Sequence, residues 1–239
     1  MLLGGFSKTV NGFIIVFVMR ISDRCQEGIT MNEKFYLLPR KKQQKIIHAG
    51  FLVFSRNSYK KSPMQEIADR AGISKSLLFH YFTNKKELYL FLWDNACLTT
   101  VKYLNEYGCY EPDDLFEMME RGMRAKLYMM KKYPTMTSFV IRAFYEKDPA
   151  VSAAIQESYR SYFGIKANDA LSRIHAQDFI PGLDLSMMYR EMYLSSVGYL
   201  WEIFQRDGEL DTAKLEHDFE QMLSFWKQIY LRHPSSGCP

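Results

Sequence analysis

The chain has 239 residues, of which 47% are hydrophobic and 24% charged, a globular composition long enough for two domains or one large one. Its four cysteines and five histidines show neither a disulfide framework nor metal-ligand spacing, so the sequence calls for no metal and no cofactor. The net charge of +4 is unevenly placed: residues 31–90 hold 12 Lys/Arg against 4 Asp/Glu, and residues 91–239 hold 16 against 21. A basic head on an acidic body suits a polyanion binder with a second domain for other work.

Residues 1–30 contain one apolar run of seven, Phe13 to Met19. A membrane span needs about 20 residues, and no clean small-x-small cleavage site follows. The segment reads as an upstream extension or a loosely ordered arm, ahead of a membrane or export role. No membrane partner is expected, and the scattered thiols fit a reducing cytoplasm.

Residues 40–90 carry the strongest pattern. Ser62 reads as an N-cap, with Pro63 at the first helical position and Gln65 closing a capping box. Ile67 and Ala68 give this short helix an apolar side. Ala71 is small enough for a close crossing, and Gly72 can take the left-handed conformation that ends a helix. Ile73 plugs the turn. Ser74 caps a second helix running to about Tyr81, and Asn84 with Glu87 signals a third start. Helix, Gly turn and helix form a helix-turn-helix, which lays its second helix in the major groove of DNA.

This segment resembles the DNA-binding domain of the TetR family of bacterial transcriptional regulators. The resemblance rests on the stripe Ile46, Ala49, Gly50 and Phe54 and on residues 67–75, Ile-Ala-x-x-Ala-Gly-Ile-Ser-Lys. It rests also on the continuation Phe79, Phe82, Lys85 and Leu88. Two positions depart from the family pattern: Phe79 stands where Tyr is frequent, and Pro63 where Thr is frequent. The resemblance implies an all-α chain. A three-helix DNA-binding domain with the helix-turn-helix would span 31–88, and a larger helical ligand-binding and dimerisation domain 89–233. A loose tail would cover 234–239. It further implies a start near Met31, a homodimer paired through the last two long helices, a ligand cavity among the inner helices, and double-stranded operator DNA as partner.

Candidate DNA contacts follow from residue chemistry. Lys75 can donate to guanine or phosphate, Ser76 permits close approach, Leu77 offers an apolar contact to a thymine methyl, and His80 can meet a base or a phosphate. Ser62 and Ser74 supply hydroxyls. Tyr81 would replace the hydroxyl that Phe79 lacks, and Lys85 sits at a helix start facing the same surface. Leu78 and Phe82 read as core, Phe79 as core or groove edge, and His80 alternatively as a solvated side chain.

The body reads as helices near 84–106, 113–131, 134–145, 148–175, 184–206 and 212–231, with a loop over 177–184. On 113–131, Phe116, Met119, Met123, Leu127 and Met130 form an apolar stripe opposite Glu117, Arg121, Arg124 and Lys131. Gly122, beside the stripe, permits a close crossing or leaves room for a ligand. On the last helix Leu215, Phe219, Met222, Trp226 and Ile229 form another stripe. Met119, Met123, Phe139, Tyr193 and Trp201 are the candidate effector contacts, with plain core or dimer interface as the alternative for each. Such walls favour a hydrophobic or aromatic ligand, including a cation. No nucleophile–base ordering and no phosphate-cradling glycine loop suggests an enzyme. The expectation is a ligand-responsive transcriptional repressor; the alternative is a DNA-binding regulator governed by a protein partner or by its own abundance.

Overall fold

The computed structural model describes residues 33–207 and 211–232, with 162–171 and 206–207 as backbone alone. The 1–30 extension and the 234–239 tail lie outside the described residues. The described residues are helical apart from turns, loops and one isolated bridge. They divide into two units between Asp94 and Asn95.

The first unit is built from α1 (Glu33–Tyr36), α2 (Arg40–Arg56), α3 (Met64–Ala71), α4 (Lys75–Tyr81) and the first turns of α5 (Lys85–Glu106). Its core is formed by Ile46, Ala49, Val53 and Phe54 of α2, Ile67, Ala68 and Ala71 of α3, Leu78 of α4, Phe82, and Leu88 and Leu92 of α5. Phe35 of α1, which the sequence pattern leaves unassigned, is buried with its ring 5.1 Å from Phe82 and 5.2 Å from Phe91. Gly50 belongs to this core because α2 passes close to Leu92 there.

The start of α3 corrects the expected capping box. Pro63, extended at φ −79° and ψ 134°, occupies the cap position with no side-chain cap bond. Ser62 therefore lies one residue too far out to reach the helix N–H groups. Its hydroxyl donates instead to the Ser58 carbonyl at 2.9 Å, and the Gln65 amide turns to Asp69 at 2.7 Å.

The second unit contains the rest of α5, α6 (Leu115–Lys132), α7 (Pro134–Phe144), α8 (Ser152–Leu171), a 3₁₀ turn Ala176–Asp178, α9 (Leu185–Asp207) and α10 (Thr212–Tyr230). Asp114 caps α6, accepting from the N–H groups of Phe116 and Glu117 at 2.7 and 2.9 Å. The α6 stripe is buried at Phe116, Met123 and Leu127 and half-buried at Met119 and Met130. A Cβ on Gly122 would meet nothing within 4 Å, so this glycine does not mark a close crossing.

Three boundaries differ from the sequence pattern. The turn at Asp148 precedes α8, whose first residue is Ser152, because Val151 and Ser152 both donate to the Asp148 carbonyl. The helix stops at Leu171, and the 3₁₀ turn follows, closed by Asp178 N–H to the His175 carbonyl at 3.0 Å. The loop over 177–184 carries core: buried Phe179 bridges Leu231, flanked by Ile180 N–H to Tyr230 O at 3.0 Å and Arg232 N–H to Asp178 O at 2.8 Å.

On α10 the inner side is Leu215, Leu223 and Trp226, with Phe219 and Met222 half-buried, while Ile229 faces outward. Trp226 and Leu223 join Leu115, Phe116, Phe179, Met188 and Met192 in one cluster. Tyr199 of α9 donates its hydroxyl to Asp218 of α10, which also takes a bond from Lys214 at 2.9 Å. Among the described residues no helix is long and apolar enough to cross a membrane.

Candidate nucleic-acid interface

The interface is assembled by three local signals. Gly72, at φ 70°, ends α3 in the left-handed conformation and bonds back to the carbonyls of Ala68 and Asp69. Ser74 then caps α4, its hydroxyl oxygen accepting from Leu77 N–H at 3.1 Å and lying 3.0 Å from the Ser76 hydroxyl. After α4, Asn84 accepts from Glu87 N–H at 2.9 Å, and the buried Glu87 carboxylate accepts from Thr83 N–H at 2.7 Å. That is a capping box reaching one residue further back than usual.

These caps fix which side of α4 faces out. Leu78, Tyr81 and the following Phe82 are buried; Lys75, Ser76, Leu77, Phe79 and His80 are exposed. Phe79 is thus exposed rather than in the core. Beside it a surface groove of about 340 Å³ is lined by Lys60, Lys61, Pro63, Met64 and Lys75 as well as Phe79. The Lys75 ammonium lies 6.0 Å from the centre of the Phe79 ring. Lys60 and Lys61 belong to the basic head that the sequence marks for a polyanion, with plain surface charge as the alternative. Their nearness to α4 depends on the turn made by Ser62 and Pro63, which no spacing rule reveals.

Three expected contacts are placed otherwise. Ser62 is 0% exposed, with its hydroxyl committed to Ser58. Tyr81 is 8% exposed and packs its ring edge-on against Phe35, 6.2 Å between centres. Lys85 holds the α2–α3 turn: its ammonium donates to the Lys60 and Ser62 carbonyls at 3.2 and 3.4 Å and lies 4.6 Å over the Tyr59 ring. Each follows from packing at the turn, where a side chain that looks polar and available in sequence finds an internal partner. Ser74 remains exposed, with its oxygen occupied by the cap.

The candidate effector residues fall in different places in the second unit. Met119 packs against the cluster of Phe116 and Trp226, Met123 lies in a cluster with Leu127, Ile203 and Leu215, and Phe139 is fully buried on α7. Tyr193 and Trp201 belong to a run of rings: Tyr193 to Tyr159 at 6.1 Å, Tyr159 to Phe144 at 4.5 Å, Phe144 to Tyr145 at 4.8 Å, Tyr145 to Trp201 at 3.7 Å, and Trp201 to Phe204 at 6.3 Å. Burial raises the phenol pKa of both Tyr145 and Tyr159 above the ordinary value. Among the described residues no group of three or more His, Cys, Asp or Glu is placed to hold a metal ion.

Comparison with known proteins agrees with this geometry. Residues 46–91 match the family of bacterial regulatory proteins, tetR family. Over 60 residues the chain is 42% identical to the HTH-type transcriptional activator FasR of Mycolicibacterium smegmatis, a stretch covering 25% of this chain and 27% of that relative's length. A TetR family transcriptional regulator from Chloroflexus aurantiacus superposes with a TM-score of 0.63 at 18% identity, covering 84% of this chain and 99% of its own. SmeT, the repressor of the Stenotrophomonas maltophilia multidrug efflux pump SmeDEF, superposes with a TM-score of 0.59 at 15% identity, covering 82% and 95%. The helix-turn-helix head, residues 46–91, is thus a DNA-binding domain of the tetR family of bacterial regulatory proteins, and the chain as a whole shares the fold of the solved regulators it resembles.

Proposed function

We propose that this protein is a homodimeric repressor acting in the cytoplasm, released from its operator by a small hydrophobic or aromatic effector. The observation that carries the DNA-binding part is the outward side of α4, capped at Ser74 and flanked by Lys60, Lys61 and Lys75 on a head of net charge +8. One such helix reads only a few base pairs, and useful specificity needs two half-sites about one helical turn apart.

The dimer reading is supported by Met187 and Leu194 on α9 and by Phe225 and Ile229 on α10. Each pair repeats at helical spacing, and all four side chains are exposed. Pairing with a second copy would cover them. The effector reading draws on the run of rings from Tyr193 to Trp201, whose faces suit an aromatic or cationic ligand. Effector binding would favour one dimer geometry over another in proportion to its differential affinity for the two. The named relatives include both an activator and a repressor, so the direction of regulation rests on a transcription assay.

The test is fluorescence anisotropy on duplexes tiling the DNA upstream of the protein's own gene, with a salt titration. The expected result is tight binding to one tile at two chains per duplex, reversed by a compound found in a thermal-shift screen. Uniform, strongly salt-dependent binding to every tile would show phosphate attraction alone and would defeat the reading. A second reading, a regulator without a small effector, is favoured by the burial of Met123 and Phe139 in packed core. A screen with no stabilising ligand would support it.

A further inference from the structure

The outward side of α4 has apolar flanks. Of its five exposed side chains two are large and apolar: Leu77 is 36% exposed and Phe79 39%. At 3.6 residues per turn, Ser76 and His80 stack on one line opposite buried Leu78, and Leu77 and Phe79 stand on either side of that line. The centre is polar, with His80 beside Ser76, whose hydroxyl already shares a hydrogen bond with that of Ser74. Ser62, Tyr81 and Lys85, read from the sequence as further polar contacts, are turned inward or engaged.

Lys75, Ser76 and His80 can read base edges by hydrogen bonding, but Leu77 and Phe79 offer a base neither donor nor acceptor. These two side chains do match the one apolar group that the major groove displays, the C5-methyl of a pyrimidine. The head is strongly basic, so the occupant of this face is nucleic acid, and contact with methyl groups would remove both side chains from water.

We propose that Leu77 and Phe79 are specificity-determining residues that read pyrimidine C5-methyl groups, one on each side of the helix axis. The proposal rests on the protein being a sequence-specific DNA binder. Thymine and 5-methylcytosine carry the same methyl, so the protein should also sense cytosine methylation where the half-site holds a cytosine under either side chain.

The experiment uses the full chain and a duplex selected from a random pool. Binding to that duplex well above random DNA tests the underlying reading separately. Each thymine is then replaced in turn by deoxyuridine, which removes the methyl alone, and each cytosine by 5-methylcytosine, which adds it. At one or two positions per half-site, losing the methyl should weaken binding about three- to fivefold, the effect of one methyl leaving water. Leu77→Ala should abolish that loss at one position and Phe79→Ala at another. A gain on methylating cytosine would identify 5-methylcytosine as a second source of the contact. Both side chains are exposed, so the variants should melt like the parent protein. The proposal is overturned if no deoxyuridine substitution changes affinity by more than about 1.5-fold, or if both variants keep the full sensitivity at every position.

Discussion

A Cβ placed on Gly50 would sit 2.6 Å from Cδ1 of Leu92, and Leu92 is fully buried. The small residue in the α2 stripe is thus a condition for α2 and α5 to cross within the head. Gly50→Ala should lower stability by about 1–3 kcal/mol even though alanine is the better helix former, because the displaced leucine has nowhere to go. Chemical denaturation checks this, with a double-mutant cycle against Leu92→Ala. The alanine at position 50 should do less harm once Leu92 is truncated, and strict additivity would rule out the clash.

Lysines in the head divide by role. Lys60, Lys61 and Lys85 all line the groove, but Lys60 and Lys61 are exposed, whereas Lys85 is half-buried with its ammonium bonded to the α2–α3 turn. Lys60→Ala or Lys61→Ala should reduce the dependence of log K on log salt by about 1 each, with stability unchanged. Lys85→Met should leave that slope nearly as it is and lower head stability by about 1 kcal/mol, since two carbonyls lose a charged donor. Salt-titrated anisotropy and thermal melts separate the two behaviours. A full unit of slope lost with Lys85→Met would return that lysine to the list of phosphate contacts.

The link between α9 and α10 sets a pH window. Hydrogen bonds from Tyr199 and then Lys214 hold the Asp218 carboxyl below the usual carboxylate range, while burial first, and then the bond to Asp218, pushes the Tyr199 phenol up to about 12. A lowered carboxylate gives stability that is present above its unfolded value of about 4 and is lost as pH falls through the folded value. A raised phenol gives stability present below about pH 10 and lost as pH rises through the folded value. Asp218→Asn should flatten the acid limb of the melting-temperature profile, and Tyr199→Phe the alkaline limb. Unchanged profiles in both would show that the two helices are held by packing alone.

Gly122 offers the opposite case to Gly50. No atom crowds the place where its side chain would stand, so Gly122→Ala should raise body stability by about 0.5–1 kcal/mol. If that space belongs to an effector, the same variant would lose effector response while gaining thermal stability. Melting curves with and without ligand read both at once.

What the sequence discloses here is local. Caps at Ser74 and Asn84, the left-handed stop at Gly72 and the helical stripes are written within a turn or two of the residues that use them, and each is present in the fold. What it conceals is any role fixed by a distant partner. Ser62 looks like a cap until Pro63 takes that place, Tyr81 looks like a hydroxyl for phosphate until Phe35 is folded against it, and Lys85 looks available until the turn at Lys60 comes within reach. Phe179 lies in a stretch that reads as loop, and its burial depends on Phe116, Leu223 and Trp226, far away in the chain.

That bridge also bears on how the protein is made. The head draws its core from residues up to Leu92, so it can be finished soon after that segment has emerged from the ribosome. The body must wait, because Phe116 and Phe179 are covered by Leu223 and Trp226 on its last helix, and Phe179 is bridged by Leu231 just beyond. During the later part of synthesis, then, the nascent chain carries a completed head ahead of a body still open along its apolar seam.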